Sequence, residues 1–531
     1  MKVDYLYIKS QFKNLKNIKI NFDENHLMTV IIGGNGSGKS NVLEALVAIF
    51  RNLDLGEAPD FAYEIKYKLG GDSHTKWITV IADPVAKTLS QQYQVTSSNS
   101  INEVGKDIPL SKVKRDKAGH SDFLPDHVFA YYSGPSDRLE KYFKKHRTNF
   151  YRKLLKSEVD LQSDIRPLFY AKPFHSQFVL LAFFLSKQAD QEKKFLKTHL
   201  GIESLDSVHF VMRKPKWTKT KNKKELFWGA DGVVRDFLEL LYPHCLAPVK
   251  VTRQEDVGLT GSDIKNEFFH LFLPNVEVLR EFAKGLSPDV FFKMLESTLL
   301  SEIISEVSVR VKVSSSDQPL SFRELSEGEQ QLLTVLGLLK FTGGKNTLFL
   351  LDEPDTHLNP AWTVKYLQFL KEFVPEEDTS HLLMVSHHPL AIAELEKEQV
   401  QVMWRDEENQ VHAQEPFESP RGMGYAGILT SDMFGLNSTL DTPTQDLIRE
   451  RRSLALLKKL NDDQLNRLKE LNEMLENSGF STENKDAEYS EYLRARNKQN
   501  KELFERDMPT PDVREQRRKI ADEILTELSE D

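Results

Sequence analysis

Three short apolar runs open the chain. Residues 5–8 and 18–22 alternate apolar with polar positions, and residues 28–32 (MTVII) are apolar apart from one threonine. The third run stops at a glycine-rich turn, after which residues 40–50 resume with apolar positions at helical spacing. The pattern predicts strand, glycine loop, helix. Further strands are expected across 51–135, with the polar stretch 97–120 as a mobile loop. Between 136 and 320 the spacing turns helical, as in 177–185 and 233–241, without the sustained heptads of a long coiled coil. Strand and helix signals alternate again over 321–440. From 441 to 531 Glu, Lys, Arg and Leu dominate. Leu454, Leu457, Leu465, Leu468 and Leu475 stand at helical spacing there, so a charged helical extension is expected, interrupted over 477–485.

Composition narrows the class. At 531 residues the chain is long enough for two or three packed units. The most apolar segment, 178–186 (FVLLAFFLS), is about half the roughly 20 residues a membrane span needs, and reads as a buried helix. The opening MKVDYLYIKS lacks the basic, apolar and small-residue order of a signal peptide, so a cytoplasmic protein without a membrane partner is expected. A single cysteine, Cys245, excludes an intramolecular disulfide and a cysteine-based zinc cluster. With 71 basic and 80 acidic residues the net charge is −9, so nucleic-acid contact has to come from a local patch.

Three segments carry chemistry. Gly33-Gly34-Asn35-Gly36-Ser37-Gly38-Lys39-Ser40, followed by Asn41, fits G-x-x-x-x-G-K-[ST] between an apolar strand and an apolar helix. Glycines let backbone N–H groups turn inward around a triphosphate, and the following helix points its positive end at the same place. Lys39 would then bridge the β- and γ-phosphates of ATP, and the Ser40 hydroxyl would ligate Mg²⁺. The bland alternative is a flexible glycine loop. Second, residues 347–354 (TLFLLDEP) form a continuous apolar run ending in two carboxylates. Such a run suits a central parallel strand, and its C-terminal end lies where ligands bind in open α/β sheets. Asp352 is the candidate Mg²⁺ partner, and Glu353 the candidate base for the attacking water. Alone, the same residues also fit a strand followed by a helix-capping acid. Third, Leu325-Ser326-Glu327-Gly328-Glu329-Gln330-Gln331 precedes an apolar helix. Ser326, Gly328 and the helix dipole can hold a γ-phosphate, while Ser326 with Glu329 also fits a capping box.

In their chain order of loop, signature and acidic strand end, the segments resemble the ABC ATPases, with the signature in the Ser-x-Gly-Glu form of structural-maintenance and repair members. The resemblance implies an α/β fold: an ABC-type P-loop ATPase head, a mixed sheet flanked by helices, with a helical insertion and a C-terminal helical extension. It places the first part of the ATPase domain at 1–135, a helical inserted subdomain at 136–320, the second ATPase part at 321–440, and a partner-binding extension at 441–531. It implies that Ser326, Gly328 and Glu329 serve the nucleotide of an opposite subunit. One loop and one signature per chain then require a head-to-tail ATP-sandwich homodimer, or a higher even-numbered oligomer. By the same resemblance Asp355 is a cross-interface contact, and His387, of the pair His387-His388 ending the strand signal at 382–386, is the γ-phosphate sensor. A metal site at that pair lacks a third ligand at suitable local spacing. No glutamine marks the usual coupling loop; residues 131–134 (YYSG) end a strand where it would lie. Lys13 and Asn14 are candidates for adenine recognition.

Missing heptads disfavour long-armed chromosome and repair ATPases, and the tail lacks the acidic strand ends of a fused nuclease domain. The layout, with residues 426–436 (AGILTSDMFGL), is similar to the ATPases of Septu anti-phage systems and of retrons carrying a Septu-like effector pair. That family works with a separate HNH-type nuclease and, in retrons, a reverse transcriptase with its single-stranded DNA. The alternative is an SMC-like DNA-maintenance or repair ATPase acting directly on DNA. Residues 213–224 hold seven basic residues and no acid, with Trp217 inside and Trp228 close by. Lys216, Lys219, Lys221, Lys223 and Lys224 read either as phosphate contacts beside a stacking indole or as a solvated lysine loop. The run 141–156 reads as a helix face.

Overall fold

In the computed structural model the described residues are 1–71, 75–116, 119–156, 158–159, 166–187, 190–218, 226–255, 264–436, 438–457, 459–478, 503 and 511–530. The chain divides into two units. The first comprises Met1–Ile31 and Gly38–Ala391, the second Ile32–Ser37 and Ile392–Asp531.

Three sheets build the first unit. Strands β1 (Lys2–Ile8), β2 (Ile18–Asn21), β4 (Tyr63–Leu69), β5 (Lys76–Ala82), β6 (Tyr93–Ser98) and β7 (Lys106–Ile108) form an antiparallel sheet in the order β2-β1-β4-β5-β6-β7. Alternate residues of β4 are buried, as expected of a sheet with one face on the core. The second sheet is parallel: β3 (Met28–Gly33), β16 (Ser380–Val385), β15 (Thr347–Asp352), β8 (His127–Tyr132) and β9 (Leu168–Ala171) follow one another. Every residue of β15 and β16 is buried, which is why these strands are apolar at almost every position. Register aligns Asp352 with Val385 and with Tyr132, so three strand ends meet at one edge.

The third sheet departs from expectation. Residues 136–320 do contain helices, including the buried His175–Leu185 and the amphipathic Gly232–Leu241. They also contain β10 (Ile202–Arg213), β11 (Leu246–Glu255), β12 (Ile264–Leu273), β13 (Ile304–Val313) and β14 (Leu320–Ser321), antiparallel in the order β11-β12-β10-β13-β14. The inserted region is therefore mixed α/β. In β13 (ISEVSVRVKV) β-branched residues alternate with polar ones, a period-two pattern that favours a strand over a helix.

In the second unit β17 (Val400–Arg405) pairs antiparallel with β18 (Val411–Gln414). The helical tail is present as Thr442–Ala455, Asp462–Asn477 and Pro511–Glu530. Asp441 caps the first of these and Asn461 with Gln464 forms a capping box on the second. Arg467 grips Glu450 with two bonds of 2.8 and 2.9 Å, and Arg451 reaches Asn472 at 2.8 Å, so the first two helices lie side by side. Most of the expected interruption at 477–485 lies outside the described residues. Among the described residues no helix is long and apolar enough to cross a membrane.

Candidate functional site

The glycine turn has the backbone its sequence calls for. Gly36 and Gly38 sit at φ 78° and 98°, in the left-handed region that other residues avoid. Gly38 is the N-cap of the helix Lys39–Leu55, and its carbonyl accepts from the Asn41 N–H at 2.9 Å. The first helical residues are thus Lys39 and Ser40.

Within the first unit these two residues meet the acidic strand end. The Ser40 hydroxyl donates to Asp352 Oδ1 at 2.9 Å. The other carboxylate oxygen, Oδ2, is buried with no hydrogen-bond partner among the described residues. Burial pushes the Asp352 carboxyl up to about 6, opposed chiefly by the Ser40 hydroxyl and the Arg138 guanidinium. A buried oxygen lacking a partner beside a serine hydroxyl fits a hard divalent cation with oxygen ligands. Lys39 is 5% exposed, and burial pulls its ammonium down to about 8 against the attraction of Glu353 and Asp352.

Glu353 leaves the strand in the left-handed region, at φ 53°, with its N–H donating to the Val385 carbonyl at 2.9 Å. Its Oε1 lies 3.1 Å from His387 Nε2, and both side chains remain partly open to solvent. Burial and then the Lys39 charge hold the imidazole below its ordinary value, against the pull of Glu353, so a neutral ring donating from Nε2 fits the contact. Base and sensor candidates are therefore already in contact.

Asp355 is held within its own chain. It is 3% exposed, and its Oδ2 accepts from the Ser386 hydroxyl at 2.6 Å. Ser386 Oγ accepts in turn from the His388 N–H at 2.9 Å. Within its own chain Asp355 ties the turn after Glu353 to the strand end carrying the histidines. Burial raises this carboxyl to about 6.

The signature segment forms a full capping box. Ser326 Oγ accepts from the Glu329 N–H at 3.3 Å, and Glu329 Oε2 accepts from the Ser326 N–H at 2.7 Å. Ser326 stays exposed while Gly328 is buried. A Cβ on Gly328 would fall 2.5 Å from the His357 carbonyl oxygen, so glycine allows the helix to approach the turn after Glu353. Gln331 completes this link: Nε2 donates to the Glu353 carbonyl at 3.2 Å, and Oε1 accepts from the His357 N–H at 3.3 Å.

Sequence reasoning missed Gln331 and a second cluster. Glu44, fully buried on the helix Lys39–Leu55, accepts from Arg138 Nε at 2.6 Å and pairs with Lys13. Arg138 also donates to Asn41 Oδ1 at 2.7 Å, four residues past the 131–134 segment where a coupling residue was sought. The signal was a glutamate inside an otherwise apolar helix face, VLEALVAIF. Of the two adenine candidates, Asn14 accepts from Asn41 at 2.5 Å and borders Gly38 at the helix start, and Lys13 pairs with Glu44 further along the helix.

The basic segment is only partly described. Lys216 is exposed; Lys219, Lys221, Lys223 and Lys224 lie outside the described residues. Trp228 is buried, its indole N–H donating to Glu267 at 3.0 Å, which removes it from stacking on a base. Trp217 is half-buried and donates to the Ser301 carbonyl at 2.7 Å. The run 141–156 does supply a helix, Glu140–Leu154, with Phe143, His146, Phe150 and Leu154 inward and Lys144 and Arg152 exposed. Among the described residues no three His, Cys, Asp or Glu side chains group as a metal cluster.

Residues 28–393 match the family described as "AAA domain, putative AbiEii toxin, Type IV TA system". The Septu protein PtuA of Bacillus mycoides (strain KBAB4) is 28% identical over 195 residues, covering 34% of this chain and 27% of that protein's length. Among solved structures, the SMC head domain from Thermotoga maritima is 11% identical, covering 78% of this chain and 99% of its own at a TM-score of 0.32. The Smc head domain derived from Pyrococcus furiosus, bound to the C-terminal domain of ScpA, is 14% identical, covering 78% and 96% at a TM-score of 0.30.

Proposed function

We propose a function on one premise: the chain belongs to the AAA domain family that its residues 28–393 match. Within that ATPase frame it binds Mg²⁺–ATP and hydrolyses it slowly, as the ATPase subunit of a cytoplasmic anti-phage defence complex. The observation that carries the reading is the convergence of Lys39, Ser40, Asp352, Glu353 and His387 at one strand edge.

Each residue has a task that its position supports. The peptide N–H groups from Gly33 to Ser40 and the Lys39 ammonium receive the phosphates. Ser40 and Asp352 Oδ2 would hold Mg²⁺, which would supply charge neutralisation on the phosphate oxygens. Glu353 Oε orients the attacking water and takes its proton. The His387 Nε2–H, now directed at Glu353, is free to turn toward a γ-phosphate. Exposed Ser326, at the start of a helix whose dipole favours anions, serves the nucleotide of a second copy. Two copies therefore associate head-to-tail around two ATPs, and higher even-numbered assemblies are built from such pairs.

The partial similarity to a Septu PtuA protein supports the defence setting. In that setting the chain gates a separate HNH-type nuclease through its helical tail, with a reverse transcriptase and single-stranded DNA or RNA as further partners where a retron is present. Sedimentation of Glu353→Gln with Mg²⁺–ATP tests the assembly. A dimer that appears only with ATP and is lost in Ser326→Arg is expected; a monomer under all conditions rejects it.

A further inference from the structure

The second unit holds both the turn Ile32–Ser37 and strand β17, and the two run against each other. A Cβ on Gly33 would fall 1.9 Å from the Met403 carbonyl oxygen, so backbone meets backbone there and only glycine fits. Two residues further along β17, a Cβ on Gly36 would lie 3.9 Å from an Arg405 guanidinium nitrogen. The last residue of β17 thus places a cation beside the phosphate loop, at a glycine with no side chain to intervene.

That cation is uncommitted. Arg405 is exposed, and no carboxylate pairs with its guanidinium among the described residues. The adjacent acid is occupied: Asp406 accepts from His412 Nε2 at 2.7 Å and from the Gln410 N–H at 2.8 Å, closing the β17–β18 turn. Two other arginines of this unit are engaged, Arg421 on Glu396 and Arg467 on Glu450. An unpaired guanidinium has five N–H donors in a planar fork that matches the oxygens of a phosphate. The loop motif itself contains no arginine, and Lys39 is its sole cation.

We propose that Arg405 is a second cation of the phosphate site, contacting non-bridging oxygens of a bound nucleoside triphosphate from the β17 side. The inference rests on the ATP-binding reading and deepens it. Arg405 binds and positions the polyphosphate and does no chemistry itself. It favours longer phosphate chains, because each added phosphate brings oxygens and charge within its reach.

The test uses the full chain in a Glu353→Gln background, so that turnover does not blur the equilibrium. Affinities for Mg²⁺–ATP, ADP and AMP are measured by calorimetry at two salt concentrations, with Arg405→Gln and Arg405→Lys beside the parent. Arg405→Gln is expected to weaken ATP roughly tenfold, to weaken AMP less, and to flatten the salt dependence. Arg405→Lys should recover part of the loss. A merely structural arginine would move all three nucleotides alike. Parent binding that is indifferent to Arg405→Gln overturns this inference alone. Absence of ATP binding by the parent, judged against Lys39→Ala, overturns the nucleotide reading and this inference with it.

Discussion

Replacing Gln331 with leucine keeps the side-chain volume close but deletes both ends of the bridge between the signature helix and the turn after Glu353. Gln331 is 4% exposed, so neither bond is replaced by easy access to water at the side chain. The Glu353 carbonyl keeps the Thr356 hydroxyl at 2.9 Å, which limits its loss to about 1 kcal/mol. The His357 N–H loses its side-chain acceptor, but His357 is exposed, so its penalty falls near the low end of roughly 1–3 kcal/mol. The whole change costs about 2 kcal/mol. It is paid in the turn that aims the Glu353 carboxylate, where a shift of about 1 Å can cost on the order of a hundredfold in rate. Steady-state turnover and ATP affinity should be measured together. We expect kcat to fall ten- to a hundredfold (about 1.4–2.7 kcal/mol of barrier) while ATP affinity holds within about threefold. An unchanged kcat refutes the positioning argument. Parallel collapse of kcat, affinity and thermal stability would mean that Gln331 only supports the fold.

Two further substitutions separate structure from chemistry. Gly328→Ala drives a methyl to within 2.5 Å of the His357 carbonyl oxygen, so it should destabilise the chain by about 1–3 kcal/mol, read as a lowered melting temperature. Unaltered stability would show that Gly328 matters only to a bound phosphate. Asp355→Asn removes a carboxyl that burial lifts from 3.8 to about 6. A proton bound more tightly in the folded state means that the wild type loses stability as pH rises from about 4 to 6 and carries the full penalty above it. The asparagine variant should therefore gain up to about 3 kcal/mol at pH 8 and only about 1 kcal/mol at pH 4.5, by urea denaturation. An advantage independent of pH contradicts the burial argument.

Strands buried on both faces were readable because every position had to be apolar: β15 and β16 announce themselves, and the acids at the end of β15 follow from where that run stops. The glycine turn and the capping box were legible for a similar reason, since each is a local device whose residues are neighbours in the chain. What stayed hidden depends on distant partners. The Glu44–Arg138 pair spans 94 residues, and nothing near either residue names the other. Asp355 sits in a segment that resembles a family's interface loop, and its bond to Ser386, 31 residues on, holds it within its own chain. The third sheet was missed because its strands are separated by genuine helices, and the helical spacing at 177–185 and 233–241 carried the reading of the whole region.

The central claim is that Lys39, Ser40, Asp352 and Glu353 make one ATP-hydrolysing site. Mg²⁺-dependent phosphate release by the purified full chain, compared with Glu353→Gln and Lys39→Ala, tests it most directly. The account predicts measurable turnover in the wild type, loss of turnover with retained ATP binding in Glu353→Gln, and loss of both in Lys39→Ala. Turnover that survives Glu353→Gln, or ATP binding that survives Lys39→Ala unchanged, would contradict it.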